Sequence, residues 1–320
     1  MRRLLGFGGF AGRWRLQLKS HTEFDNACTD WADFQFLDGE GPSEGEKLKA
    51  ALESWAVSHW PTGALSLPRF SRVLRSCRKN HPKRSRLPMP EEYHWAMVGW
   101  LASHVSIEAA LYQATLFPTY LGPGALLGLY AANAVPPTQG ISAGDHHVLV
   151  VSPFEKGISA KSGYYHETVV LDGDICPPLG KFLFRHAESM MDKFEGEKED
   201  APLWNLSARD YLADWRCGSH ELGLEGMETP YQARHGGASR DFLLRRRTAG
   251  EIMLRGFGGS VSSMRIYNKP GRIQKLVNAL DPTVVAYSGG IKENFEKYVM
   301  SGTFPVPPVV RRRSKRKSVF

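Results

Sequence analysis

Apolar positions recur with helical spacing over most of the chain. Residues 44–60 (EGEKLKAALESWAVSHW) place Leu48, Ala51, Leu52 and Trp55 on one stripe, and Pro61 interrupts the pattern, which predicts an amphipathic helix. The next segment has a cationic periodicity instead. Arg69, Arg72 and Arg75 recur every three residues, and Arg78, Lys79, Lys83, Arg84 and Arg86 extend the series with no carboxylate between Pro68 and Pro90. Leu87-Pro88-Met89-Pro90 predicts a stiff connector, because each proline disfavours helix in the residue before it, and it sets a domain boundary.

From Glu91 to Phe117 the pattern predicts helix with a break near Ser103, and Gly124 to Asn133 predicts another short apolar helix. His147–Ser152 (HVLVVS) and His166–Asp172 (HETVVLD) are rich in β-branched residues, and the link between them carries Gly157 and Gly163, so they predict a hairpin or sheet edge. Helical periodicity returns after Pro178 and persists to about Asn278. Ser207 is placed to cap a helix, Thr229 with Pro230 opens another, and Thr248 with Glu251 forms a capping box ahead of Ile252, closed by Gly256. Residues 281–310 thin into a proline-rich segment (FPVPPVV) expected to be a linker. The expected fold is mainly α with a small antiparallel β-sheet. Its parts are a basic N-terminal segment 1–20, a helical domain 21–86, an α+β domain 91–280, and a linker with basic tail 281–320.

Composition narrows the class. An apolar fraction of 42% with 23% charged residues suits a globular core. The richest apolar stretch, Leu121 to Val135, is cut by Pro123, Gly124 and Asn133, so no membrane-spanning helix is expected. Cys28, Cys77, Cys176 and Cys217 lie far apart without a CxxC pair, which fits reduced structural thiols better than a zinc ribbon or a disulfide framework. His146 and His147 are adjacent, so on a strand they point apart and cannot share a metal. Gly6-Phe-Gly-Gly-Phe-Ala-Gly12 echoes a dinucleotide fingerprint, but no strand precedes it and no βαβ alternation follows. No cofactor or metal is expected.

The net charge of +8 is unevenly placed. Six of these charges lie in the tail Arg311–Lys317 (RRRSKRK), and residues 1–20 hold five cations with no acid, which leaves residues 21–310 at −3. The tail reads as a nuclear-import or nucleic-acid-contacting arm, with a solvated end as the alternative; the cationic start leaves an organelle transit peptide open beside a nuclear location. The Arg69–Arg86 series bears more directly on function. Eight cations without a carboxylate repel one another unless an anion neutralises them, and a phosphate backbone supplies such anions.

The informative stretch runs from Glu228 to Ile273 (ETPYQARHGGASRDFLLRRRTAGEIMLRGFGGSVSSMRIYNKPGRI). It carries an Arg-His pair opening a Gly-Ala-Ser helix, the cations Arg245, Arg246 and Arg247, a capped helix, and a Ser-rich segment with Tyr267. In this it resembles the C-terminal box of tyrosine recombinases, particularly integrase-like proteins of mobile elements. On that resemblance Arg234 matches the second catalytic arginine, His235 the residue supporting it, and Tyr267 the nucleophile. Upstream, Phe117–Leu127 (FPTYLGPGALL) looks like the family's first box, and Lys161 falls where the family carries its hairpin lysine. Residues 21–86 match the helical core-binding domain in position and basic character.

The family's chemistry sets the expectation. Two arginines hold the scissile phosphate, the tyrosine attacks to form a 3′-phosphotyrosine, a lysine protonates the leaving oxygen, and no metal takes part, so cationic side chains supply the charge stabilisation. Here the first arginine position is Gly122, the acid after it Ala125, the box histidine Tyr231 and the tryptophan position Gly258. No arginine occurs between Leu87 and Phe184 to replace the missing one. If each lost donor costs on the order of 10²-fold, turnover is negligible even with strong non-additivity. The expectation is therefore a degenerate recombinase that binds double-stranded DNA, alone or as a homo-oligomer, through Arg69, Arg72, Arg75, Arg78, Lys79 and Arg245–Arg247. Two alternatives stand beside it: an active strand-transfer enzyme in which Lys156 or a partner subunit replaces the arginine, and a non-DNA interaction protein.

Overall fold

The computed structural model describes residues 2–13, 15–16, 18–38, 41–59, 64–81, 87–138, 145–151, 157, 167–172, 178–224, 226–227, 229–256 and 270–310. The chain divides into two compact units, Met1–Ser85 and Arg86–Phe320.

The first unit is four helices: α1 (Arg2–Arg13), α2 (His21–Leu37), α3 (Pro42–His59) and α4 (Pro68–Asn80). Ser20 opens α2 with a capping box: its Oγ accepts the Glu23 N–H at 3.2 Å, while the Glu23 carboxylate accepts the Ser20 N–H at 3.0 Å. Leu48, Leu52 and Ala56 form the buried stripe of α3, and Phe70, Leu74 and Cys77 that of α4. The N-terminus of α4 has no capping side chain of its own. Buried Asp25, on α2, accepts the N–H groups of Arg69 and Phe70, each at 2.8 Å. Residues 1–20 do not form a separate basic segment. The Phe7 ring of α1 packs at 5.8 Å from Phe24 and 6.4 Å from Trp31, and Phe7 and Ala11 are buried in the same core. Phe7, Phe10 and Ala11 have the i, i+3, i+4 spacing of a helix face, masked in the sequence by intervening glycines.

The second unit is built on α5 (Glu91–His104) and α6 (Ile107–Thr119), joined by the two-residue break Val105–Ser106. Both are apolar nearly all round and buried along most of their length, as central helices must be. The 87–90 connector belongs to this unit: Met89 is buried, and its N–H donates to the Gln232 carbonyl at 3.2 Å. The helix expected over 124–133 is shorter, α7 (Pro123–Leu127), because Gly128 ends it and the Asn133 side chain accepts the Tyr130 N–H at 2.8 Å to form a 3-10 turn over Ala131–Asn133. That turn leads into β1 (Ala134–Val135), the edge of an antiparallel sheet ordered β1, β2 (Val148–Val150), β3 (Thr168–Val170). Leu149 pairs with both Ala134 and Val169, and these three residues are buried.

The remaining helices are α8 (Leu179–Lys193), α9 (Ala208–Glu221), α10 (Gln232–Leu243), α11 (Ala249–Arg255), α12 (Pro270–Asn278), α13 (Pro282–Glu293) and α14 (Phe295–Ser301). Ser207 caps α9, and Thr248 with Glu251 makes the capping box of α11. Residues 282–293 and 295–301 are helix, which corrects the linker expected over 281–310. Asp281 caps α13, and Val284, Ile291 and Phe295 join the main core, so the apolar spacing of this segment outweighs its proline content. Among the described residues no helix is long and apolar enough to cross a membrane.

Candidate functional site

The candidate site lies where α10 crosses the end of α6. A β-carbon on Gly236 or Gly237 would collide with the backbone carbonyls of Met89 and Phe117 respectively, so two consecutive glycines let α10 lie directly on its neighbours. At the end of α6, Tyr120 adopts the left-handed conformation (φ 56°), which turns the chain so that Leu121 and Gly122 run back towards α10.

Four positions singled out by the sequence converge here. Gly122 faces α10 so closely that a β-carbon there would lie 3.5 Å from the Tyr231 ring and 3.9 Å from Arg234 Nη1. The Arg234 guanidinium lies 5.8 Å from the Tyr231 ring centroid and donates to the carbonyl of Gly256, which ends α11. Buried His235 packs its ring 5.3 Å from that of Tyr231. Gly122, Tyr231, Arg234 and the end of α11 are thus one cluster. Its half-buried cation, Arg234, already has a carbonyl partner.

A larger ionic network fixes the surrounding backbone. Arg247 donates to Asp172 at 2.5 Å and Asp241 at 3.2 Å, and Asp241 also takes the Tyr120 hydroxyl and Arg240, the latter at 3.2 Å. Arg255 forms an ion pair with Asp172 at 3.3 Å, donates to the Pro118 carbonyl at 2.8 Å, and lies 5.5 Å over the Tyr120 ring. Arg240 and Lys292 both reach Glu91 at 2.7 Å. Burial pushes the Tyr120 phenol above its ordinary value, and the Asp241 carboxylate beside it adds to the shift. Burial alone would raise Asp172, but the Arg247 hydrogen bond and the charges of Arg255 and Arg247 hold it below the usual carboxylate range. Arg255 is lowered, by burial first and by Arg247 second.

The other expected site residues are dispersed. Arg69, Arg72, Arg75, Arg78 and Lys79 are all exposed on α4, opposite its buried face; Arg78 pairs with Glu46 and Arg69 with Asn26, each at 2.5 Å. Arg245 and Arg246 are exposed, whereas Arg247 is turned inward to its two carboxylates. Lys161, Lys156, Gly258 and Tyr267 lie outside the described residues, as does the tail from Arg311. Sequence reasoning missed Tyr120, Asp172, Asp241 and Arg255. One signal was available: Asp241 is the sole carboxylate between Glu228 and Glu251, in a stretch with five arginines.

Neither the protein-family models nor the curated proteins searched contain a match to this chain.

Proposed function

We propose that the protein is a DNA-binding member of the tyrosine recombinase class that has lost strand cleavage. The observation that carries this is the juxtaposition of Gly122, Tyr231 and Arg234. Three positions that the resemblance assigns to one phosphate-binding site lie within contact distance although 109 residues separate Gly122 from Tyr231. Two of them hold residues that cannot supply a cation. The glycine leaves no guanidinium for the phosphate, and the tyrosine packs on the remaining arginine instead of donating a proton from an imidazole.

Binding makes smaller demands than cleavage. The exposed cations of α4 lie along one helix face with an apolar face opposite, an arrangement suited to a row of backbone phosphates on double-stranded DNA. Affinity through them is largely independent of sequence. The basic tail would add phosphate contacts or nuclear import.

The test is duplex binding by the full chain against salt concentration. The logarithm of the affinity should fall linearly with the logarithm of salt, by about 0.9 per phosphate neutralised. Replacing Arg72, Arg75 and Lys79 together by alanine should flatten that slope by roughly two to three. A salt-insensitive affinity, or no binding to DNA, would sink the proposal and favour a non-DNA interaction protein.

A further inference from the structure

The turn that ends α10 is built in a way that phosphate contact does not explain. Arg245 N–H donates to the Phe242 carbonyl at 3.2 Å and Arg246 N–H to that of Asp241 at 2.9 Å, the paired bonds of a Schellman helix end. The left-handed position of that motif (φ 53°) favours glycine but holds Arg245, whose guanidinium has no partner among the described residues. Retaining an arginine there costs about 1 kcal/mol of backbone strain. Beside it, Leu243 and Leu244 are 38% and 54% exposed. Two leucines at water do nothing for a phosphate. With two flanking cations they form a small apolar contact ringed by positive charge.

The same unit carries the complement. The turn after α8 exposes Phe194 at 38% among Asp192, Glu195, Glu197, Glu199 and Asp200, with Lys193 and Lys198 the only cations over residues 192–200. Lys198 is spent on Asp192 at 3.3 Å, so the turn has a net charge of −3 and an aromatic ring at its centre. α6 packs against both α8 and α10, so the two turns are carried by helices that flank one core helix.

We infer that the protein self-associates, the Leu243–Arg246 turn of one copy docking on the Phe194–Asp200 turn of a second copy. Like turns repel and unlike turns attract, which selects this pairing over symmetric contact of either turn with itself. Each turn offers a small area, so the contact belongs to the weak, salt-sensitive class of interfaces.

The test uses the full chain, freed of nucleic acid, in sedimentation velocity at low salt over a range of concentrations. Its failure is therefore separable from failure of the DNA-binding proposal. The wild type should associate reversibly, and the association should be lost at high salt. Arg245→Glu with Arg246→Glu, and separately Glu195→Lys with Glu197→Lys, should each weaken association at least about tenfold, and mixing the two variants should restore it between unlike chains. Leu244→Ser should also weaken it, with no change in charge. Thermal unfolding checks that each variant is folded. A monomeric wild type, or charge-swapped chains that fail to pair when mixed, would overturn the inference. So would Arg245→Glu with Arg246→Glu lowering DNA affinity while sedimentation stayed unchanged, for the turn would then face phosphate.

Discussion

Gly122 faces Arg234 across the candidate site, with room for a β-carbon 3.9 Å from Arg234 Nη1. Its backbone (φ −71°, ψ 147°) is one any residue adopts, so nothing in the fold demands glycine. Gly122→Arg should therefore fold with a stability change within about 0.5 kcal/mol. Two neighbouring guanidiniums favour a shared anion, so DNA affinity should rise and its salt slope steepen by about 1. Equilibrium binding at several salt concentrations checks this; an unchanged slope would show that the position does not face phosphate.

Gly237 is the opposite case. A side chain there meets the Phe117 carbonyl, which cannot move without displacing the end of α6. Gly237→Ala should destabilise the second unit by about 1–3 kcal/mol, as overpacking does, and denaturant unfolding would register it. A neutral result would mean that α10 does not lie directly on α6.

Arg247 and Arg245 are two residues apart and should behave differently. Arg247→Ala takes a partner from Asp172 and from buried Asp241; the exposure of Asp172 and the remaining partners, Arg255 for Asp172 and Arg240 for Asp241, soften the loss, for a cost of about 2 kcal/mol. Arg245→Gly relieves the left-handed strain and should stabilise by about 0.5–1 kcal/mol. Equal effects of the two substitutions on the unfolding midpoint would contradict the assignment of Arg247 to the interior.

Buried His94 should make the second unit sensitive to mild acid. Burial pushes its imidazole down to about 3, and Gln113 lies 3.1 Å from its Nδ1. The unfolded chain, with a value near 6.5, takes up a proton that the folded chain refuses, so this contribution to stability is present above about pH 6.5 and is lost as pH falls towards 3. Between pH 7 and 5.5 the loss should be about 1 kcal/mol. Denaturant midpoints compared with His94→Phe, which has nothing to titrate there, would expose the difference; parallel pH profiles would refute it.

Much of this architecture is written in local pattern. The Thr248–Glu251 capping box, the Ser207 cap, the break between α5 and α6 and the pairing of the two β-branched runs follow from residues close in sequence. The N-terminal helix and α13 were harder to see because glycine and proline raise the intrinsic cost of helix, and tertiary burial of Phe7, Val284 and Ile291 offsets it. The ionic network was invisible for another reason: Asp172, Asp241 and Arg255 meet only after β3, α10 and α11 have packed. From sequence Arg247 reads as a DNA contact, because its charge is plain there while its partner Asp172 is 75 residues away.

The most direct test of the proposed loss of cleavage is covalent trapping. The full chain is incubated with a duplex carrying a nick that lets the cleaved fragment diffuse away, and denaturing gels are read for a protein–DNA adduct, with Tyr267→Phe as control. The expected result is no adduct under conditions where salt-dependent binding to the same duplex is measured. An adduct from the parent chain that disappears in Tyr267→Phe would contradict it, and would mean that phosphoryl transfer proceeds with Gly122, Tyr231 and Gly258 in place.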